Sequence, residues 1–311
     1  MRRSSLVRCG KVLLSLSCLA LLAATPTVVY APPDPEPSDG ETLMLEYLNR
    51  ARADPVAEAA RIQANPGGHF KLRGKDVDWK KFHAEMKQFK PLPPLVMNLQ
   101  LLLGARRHAH FLTINKKRGH WEALELPAFS GAKISQRILS TGYRYRQTTE
   151  NVYVAVKPWD VHTGFVVDLS RKSKDGMLKG RGHRLAIFHP QMREVGPAEY
   201  KRDRDFLFTH GFADRKAPRL VGGVVYRDLN GNAFYDTGEG VGGVKITADD
   251  GTKTTTWKSG GYALELKSAA AAATLTATYA AASHTAKFPA GTTNIKFDWV
   301  MKATKQRTRR R

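Results

Sequence analysis

Cysteine is almost missing from this chain. Both cysteines, Cys9 and Cys18, fall in the first 31 residues. If that segment is removed, the remaining protein cannot use disulfides or thiol chemistry. Acidic residues are also scarce: 28 Asp and Glu face 50 Lys and Arg, a net charge of +22 in 311 residues. There is no HExxH and no recognisable Ser-His-Asp arrangement, so hydrolysis has no independent support in sequence motifs. No basic motif is interleaved with aromatics, so no nucleic-acid partner is expected.

One long apolar run is present, residues 12–24, short for a membrane span. Arg2, Arg3, Arg8 and Lys11 precede it, and Val29-Tyr30-Ala31 follows as a small-residue cleavage site. Residues 1–31 therefore read as a secretory signal peptide, with an uncleaved anchor as the alternative. Cys18 is a poor lipidation site, because "SLS" before it does not match a lipobox. Residues 32–40 ("PPDPEP" and onward) read as a Pro-rich linker. The signal carries four basic residues and no acid, so the mature charge is +18, four below the full chain. Six of residues 302–311 are Lys or Arg, a basic tail suited to anionic polymers or a membrane surface.

Between these ends lie two regions of different character. From 41 to 215 helical patterns come first and strands mostly later, which predicts an α+β layered domain. Met44, Tyr47, Leu48 and Ala51 share one helix face. Asp54-Pro55 caps a second helix, and Asn98 caps a third that Gly119 should end. Residues 65–94, rich in Pro, Gly and Lys, read mainly as loop. A fourth helical stretch, "GAKISQRILSTGY", stops at Gly142, and another helix is expected near 160–170. Val152, Val154 and Val156 alternate in a strand that reads as buried. From 217 to 301, short alternating runs broken by Gly, Asp and Asn predict a small all-β, Ig-like sandwich. The alanines of "SAAAAATLTATYAAAS" favour helix, but the Thr/Leu/Tyr alternation beside them favours a strand.

Glu150 sits at the mouth of the valine strand, where ionising it is costly without a partner. Spacing alone names none. Asn151 reads as a backbone-bonding turn residue. His108 and His110 lie two apart on a helix and point to different faces, so they read as structural, as do His162, His189 and His210.

The order "YLNRARADP", a histidine after the long helix, "ENVYVAV", "GHRLAIFHPQMREVG" and "FTHGFA" resembles the bacterial branch of the CAP superfamily. That superfamily comprises the cysteine-rich secretory proteins, antigen 5 and pathogenesis-related 1, and its fold is also called the SCP domain. The resemblance covers residues 41–215. It implies an α-β-α sandwich, an extracellular location, and a cleft of two histidines and two acids able to hold zinc. By motif these are His120, Glu150, Asp168 and His183, with His120, Glu150 and His183 as the zinc ligands. The chain departs from the pattern in three places. "FVVD" puts Phe165 where a Trp is usual, so Asp168 is the second acid. Arg118-Gly119 replaces an aromatic-serine pair, and Pro197 is unusual.

"DLNGNAFYDTGE" carries a second pattern. Asp228, Asn230, Asn232, the Phe234 carbonyl, Asp236 and Glu239 occupy positions 1, 3, 5, 7, 9 and 12 of an EF-hand-type calcium loop. Ala233 stands at position 6, where glycine is usual. The segment, with "GVGGVKI" and "SGGYAL", resembles the B-type repeat of Gram-positive serine-aspartate adhesins over residues 219–266. Three functions follow. The first is a secreted binding protein with a metal-capable cleft and a calcium-bearing module as spacer or adhesive arm. Its ligand would be an extracellular lipid, glycan or protein. The second is a metal-dependent hydrolase using the same cleft, and the third a structural wall or matrix protein. A fold of this kind does not decide among them.

Overall fold

The computed structural model describes residues 34–68, 77–201 and 204–302. The expected signal peptide and all but the first residue of the basic tail lie outside these residues.

Helix α1 (Asp39–Ala53) begins earlier than expected, so the linker expected over 32–40 already contains its first turn. The cause is a reciprocal cap: Ser38 Oγ accepts from the Glu41 amide, and Glu41 accepts from the Ser38 amide. The chain just before it is also tied down, because Arg106 donates to the carbonyls of Asp34 and Glu36. Helix α2 (Pro55–Ala64) starts as expected on Asp54, whose side chain accepts from the Ala57 amide. Residues 65–94 are not all loop. Helix α3 (Trp79–Met86) forms there, capped by Asp78 and burying Phe82 and Met86 one turn apart.

Asn98 caps α4 (Leu99–Ile114) through the amides of Gln100 and Leu101. The helix ends at Ile114, short of Gly119, where the Asn115 side chain turns back to the Phe111 carbonyl. Helix α5 (Ile134–Ser140) stops before Gly142, which takes a φ of +86°. Strand β2 (Gln147–Ala155), α6 (Pro158–Val167), α7 (Gly182–Ile187), β3 (Glu194–Lys201) and β4 (Phe206–Asp214) follow. The two-residue β1 (Val96–Met97) completes a sheet in the order β1-β3-β4-β2. Strand β2 is an edge strand and only half-buried, and Val156 lies beyond its end, exposed.

The pleat of β4 explains the layers. Phe208, His210 and Phe212 point to one face; Phe208 and Phe212 enter the main core beside Met44, Leu48 and Phe165 of α1 and α6. Leu207, Thr209 and Gly211 point to the other, toward α4: Thr209 donates to the Ala105 carbonyl. Helix α4 lies so close to the sheet that a Cβ on Gly196 of β3 would strike the Leu101–Leu102 backbone. Helices therefore cover both faces of an antiparallel-rich sheet, and this part of the chain is α+β.

The remaining chain is all strand: β5 (Leu220–Arg227), β6 (Lys245–Ala248), β7 (Lys253–Thr255), β8 (Gly261–Glu265), β9 (Ala273–Tyr279), β10 (Ala282–Phe288), β11 (Ile295–Lys296) and β12 (Trp299–Met301). One sheet runs β10-β9-β6-β7; in the other, β5 is flanked by β8, β11 and β12. They share one core that includes Val221, Ile246, Leu264, Leu275 and Phe297. The alanine-rich stretch gives β9, where Ala273, Leu275 and Ala277 face that core.

This β-module is not a freely hinged arm. Leu43 of α1 shares a small core with Val224, Tyr226 and Tyr235. Lys296 reaches 2.8 Å from Glu46 of α1, and the Asn294 amide spans the Pro94 and Arg193 carbonyls. Among the described residues no helix is long and apolar enough to cross a membrane.

Candidate functional site

Glu150 leaves β2 on the side of α4 and α5. Its cross-strand neighbour Gly211 lies beneath Leu101 and Ile134 on that side. Arg137 of α5 donates to Glu150 Oε1 at 2.7 Å, and His120 Nδ1 lies 2.9 Å from Oε2. His108 Nε2 is 3.7 Å from the same oxygen. Burial alone would push this carboxyl up. The His120 hydrogen bond and the charges of His108 and Arg137 outweigh burial and hold it below the usual carboxylate range.

A second carboxylate completes the cluster. Glu122 lies 2.9 Å from His108 Nδ1 and accepts the amide and hydroxyl of Ser130. The other His108 nitrogen faces the Gly119 carbonyl at 3.1 Å, so both nitrogens look toward acceptors. The buried box thus gathers two carboxylates, Glu122 and Glu150, around Arg137 and the His108 ring. His120 is the outlying member, its side chain 49% exposed while that of Glu150 is 4% exposed.

Asp168 and His183 form a separate pair on the other side of β2. Asp168 ends α6 in the left-handed region, φ +59°, and is fully buried. Its carboxylate accepts the His183 amide at 2.9 Å and lies 2.8 Å from His183 Nδ1. Asn151 ties this pair to the strand by donating to the His183 carbonyl. Asn151 therefore does bond to backbone, although it lies within β2 rather than in a turn. Opposite it stands His210, fully buried and packed on Phe165 at 4.7 Å. The four expected cleft residues thus make two histidine–acid pairs, because consecutive residues of one strand point to opposite sides.

The expected zinc set of His120, Glu150 and His183 does not fit this arrangement. Among the described residues no three His, Cys, Asp or Glu side chains group to hold an ion. Glu150 already has a guanidinium on one oxygen, and a divalent cation there would face that charge. His108, Glu122 and Arg137 are the site residues that sequence reasoning missed. They lie 13 to 42 positions from Glu150 and no spacing rule joins them.

The 228–239 loop is held by hydrogen bonds to its own backbone. Asp228 accepts the amides of Gly231, Asn232 and Ala233, and Glu239 accepts those of Leu229 and Asp236. The side-chain amides of Asn230 and Asn232 both reach Asp236 Oδ2, at 2.8 and 2.7 Å. The Asn230 and Asn232 side-chain oxygens accept the Asn232 and Phe234 amides, so the acids and amides at positions 1, 3, 5, 9 and 12 are bonded to one another or to the loop's own backbone. Ala233 takes a φ of +59°, which explains why glycine is usual at this position. Phe234, at position 7, stacks on Tyr47 of α1 at 5.5 Å, and Arg50 lies 4.3 Å over its ring.

No family model matches the chain, and no curated protein does. Solved structures give weak likenesses. An extracellular protein containing an SCP domain from Bacillus anthracis str. Ames is 17% identical over 40% of this chain, with a TM-score of 0.31. That match spans 35% of the Bacillus protein. An outer surface protein from Borrelia burgdorferi is 20% identical over 46% of this chain and 99% of its own, with a TM-score of 0.31. The venom allergen-like protein 4 of Schistosoma mansoni is 11% identical over 57% of this chain and 90% of its own, with a TM-score of 0.33. Scores this low carry no argument about this chain.

Proposed function

We propose that this chain is a secreted, CAP-type binding protein. Its recognition site is the cleft edge around His120, and its β-module is a calcium-stiffened brace. The reading is supported by the order of the four sequence motifs and by helices on both faces of a four-stranded sheet. The observation that carries the binding role is the state of Glu150. Both its oxygens are engaged by Arg137 and His120, so it orients the imidazole rather than standing free as a base or a ligand. His120 then offers its outer nitrogen to a ligand. The extracellular ligand is a lipid, glycan or protein, and the basic tail draws the molecule toward anionic surfaces.

A binder of this kind shows no turnover. Incubated with 4-nitrophenyl acetate or fluorescently labelled casein, with and without zinc, the purified protein is expected to match buffer. A rate above buffer that disappears in His120→Ala would establish the hydrolase instead.

In the calcium loop, Asp228, Asn230, Asn232, Asp236, Glu239 and the Phe234 carbonyl would hold the ion. Calcium there would fix the loop that carries Phe234 against Tyr47. Calcium at a hundred times its Kd should stabilise the fold by about 2.7 kcal/mol. A rise in Tm with calcium is expected for the parent and not for Asp228→Ala. An equal rise in both removes the loop from consideration.

A further inference from the structure

A groove of about 820 Å³ opens between α3 and the segment leading into α7. None of His120, Glu150, Asp168 or His183 lines it. Its wall is partly apolar: Phe89, stacked on Phe188 at 4.6 Å, with Met177 and the half-exposed Leu185. Its charge is one-sided. Five cations, Lys81, Lys174, Lys179, Arg181 and Arg184, meet two carboxylates, Glu85 and Asp175.

Both carboxylates are already spent. Glu85 accepts both Arg181 and Arg184. Asp175 accepts Lys81 at 2.6 Å, Arg181 at 2.9 Å and the Met177 amide at 3.1 Å. These bonds hold both carboxyls below their usual range. Arg184 is further fixed by the Val166 and Val167 carbonyls. The ion-pair network therefore sets Lys81, Arg181 and Arg184 against two carboxylates and keeps an excess of positive charge. Lys174 and Lys179 remain at the rim, exposed and with no acidic partner among the described residues.

A concave site with an apolar wall and convergent cations has the makings of a small-molecule pocket, and its volume is in the usual range. The geometry points to a binding site for a small organic anion: a phosphate, sulfate or carboxylate carried on an apolar, ring-sized body. The body lies on Phe89 and Leu185, and the anionic group meets Lys174 and Lys179. The site does not depend on the reading of the cleft.

Isothermal titration calorimetry of the whole protein tests this with 1-naphthyl phosphate, 1-naphthol and inorganic phosphate. The phosphate ester should bind one to one, at least tenfold tighter than either fragment, and more weakly at high salt. The double variant Lys174→Glu/Lys179→Glu should weaken it at least tenfold. Both lysines are exposed, so the fold should be kept, which an unchanged Tm would verify. Lys253→Glu, on β7 of the module, and His120→Ala should each leave affinity within twofold. The assignment is overturned by absence of saturable binding, by naphthol or inorganic phosphate binding equally well, or by indifference to the lysine changes. Loss of binding in His120→Ala alone would also overturn it, placing the ligand in the cleft.

Discussion

Arg137→Met should destabilise the protein by about 3–5 kcal/mol, the usual cost of breaking a buried ion pair by removing one partner. The guanidinium is 1% exposed and bonds Glu150 at 2.7 Å. It also donates to the carbonyls of Gly131 and His120 and lies 3.8 Å from Glu122. Methionine fills much of the volume but leaves the Glu150 oxygen without its strongest donor. Urea unfolding at pH 7 would show the loss. Adding Glu150→Gln to Arg137→Met should recover part of it, because a neutral amide is cheaper to bury than an unpaired carboxylate. The folded carboxyl lies below its unfolded value, so its stabilisation is present above the ordinary carboxylate range and fades as pH falls through the folded value. A loss under 1 kcal/mol for Arg137→Met would mean that His120 and His108 suffice, and the box would lose its central cation.

His210 should dominate the acid sensitivity of the first domain. Burial pushes its imidazole down to about 3, and the charges of His162 and His183 push the same way. It is fully buried among Phe165, Phe208 and Phe212, and neither ring nitrogen has a hydrogen-bond partner among the described residues. The unfolded chain takes up a proton near 6.5, whereas the folded one refuses it until about 3. Stability from this residue is therefore complete above pH 6.5 and is lost progressively from there down to about 3. The full loss is roughly 4–5 kcal/mol. His210→Leu keeps an apolar side chain in the same pocket and removes the titration. Urea midpoints at pH 7 and pH 4 should differ much less in the variant than in the parent. An unchanged pH dependence would show that His210 is not the group that fails in acid.

Legibility in the sequence followed the range of the forces. Asp54-Pro55, Asn98 and the alternation in "RDFLFTHGFA" act within a few residues, and α2, α4 and β4 stand where those signals put them. Ser38 and Glu41 form as local a cap, yet the run of prolines before them suggested that the linker continued. Helix α3 escaped notice because eight residues with only Phe82 and Met86 buried make a faint period among prolines and lysines. The bonds among the 228–239 side chains and amides are also local, each spanning ten residues or fewer, although the Gly238 amide donates to Asp39 of α1.

The site around Glu150 was only half legible. The four residues His120, Glu150, Asp168 and His183 were reached through motif order, as one cleft rather than as the two pairs the structure holds. Their failure to converge was not, because it depends on which side of β2 each residue leaves. Nor was the role of His108, whose position two residues from His110 suggested structure alone. By itself, the sequence determined the caps, the strand periods, the turn-rich loop and the surplus of positive charge, all of which act between near neighbours or in sum. Only tertiary packing decided that Arg137 and His120 engage Glu150, and that, among the described residues, His210 has no hydrogen-bond partner and Lys174 and Lys179 have no acidic one. Those outcomes depend on distances across a folded core, which separation along the chain does not encode.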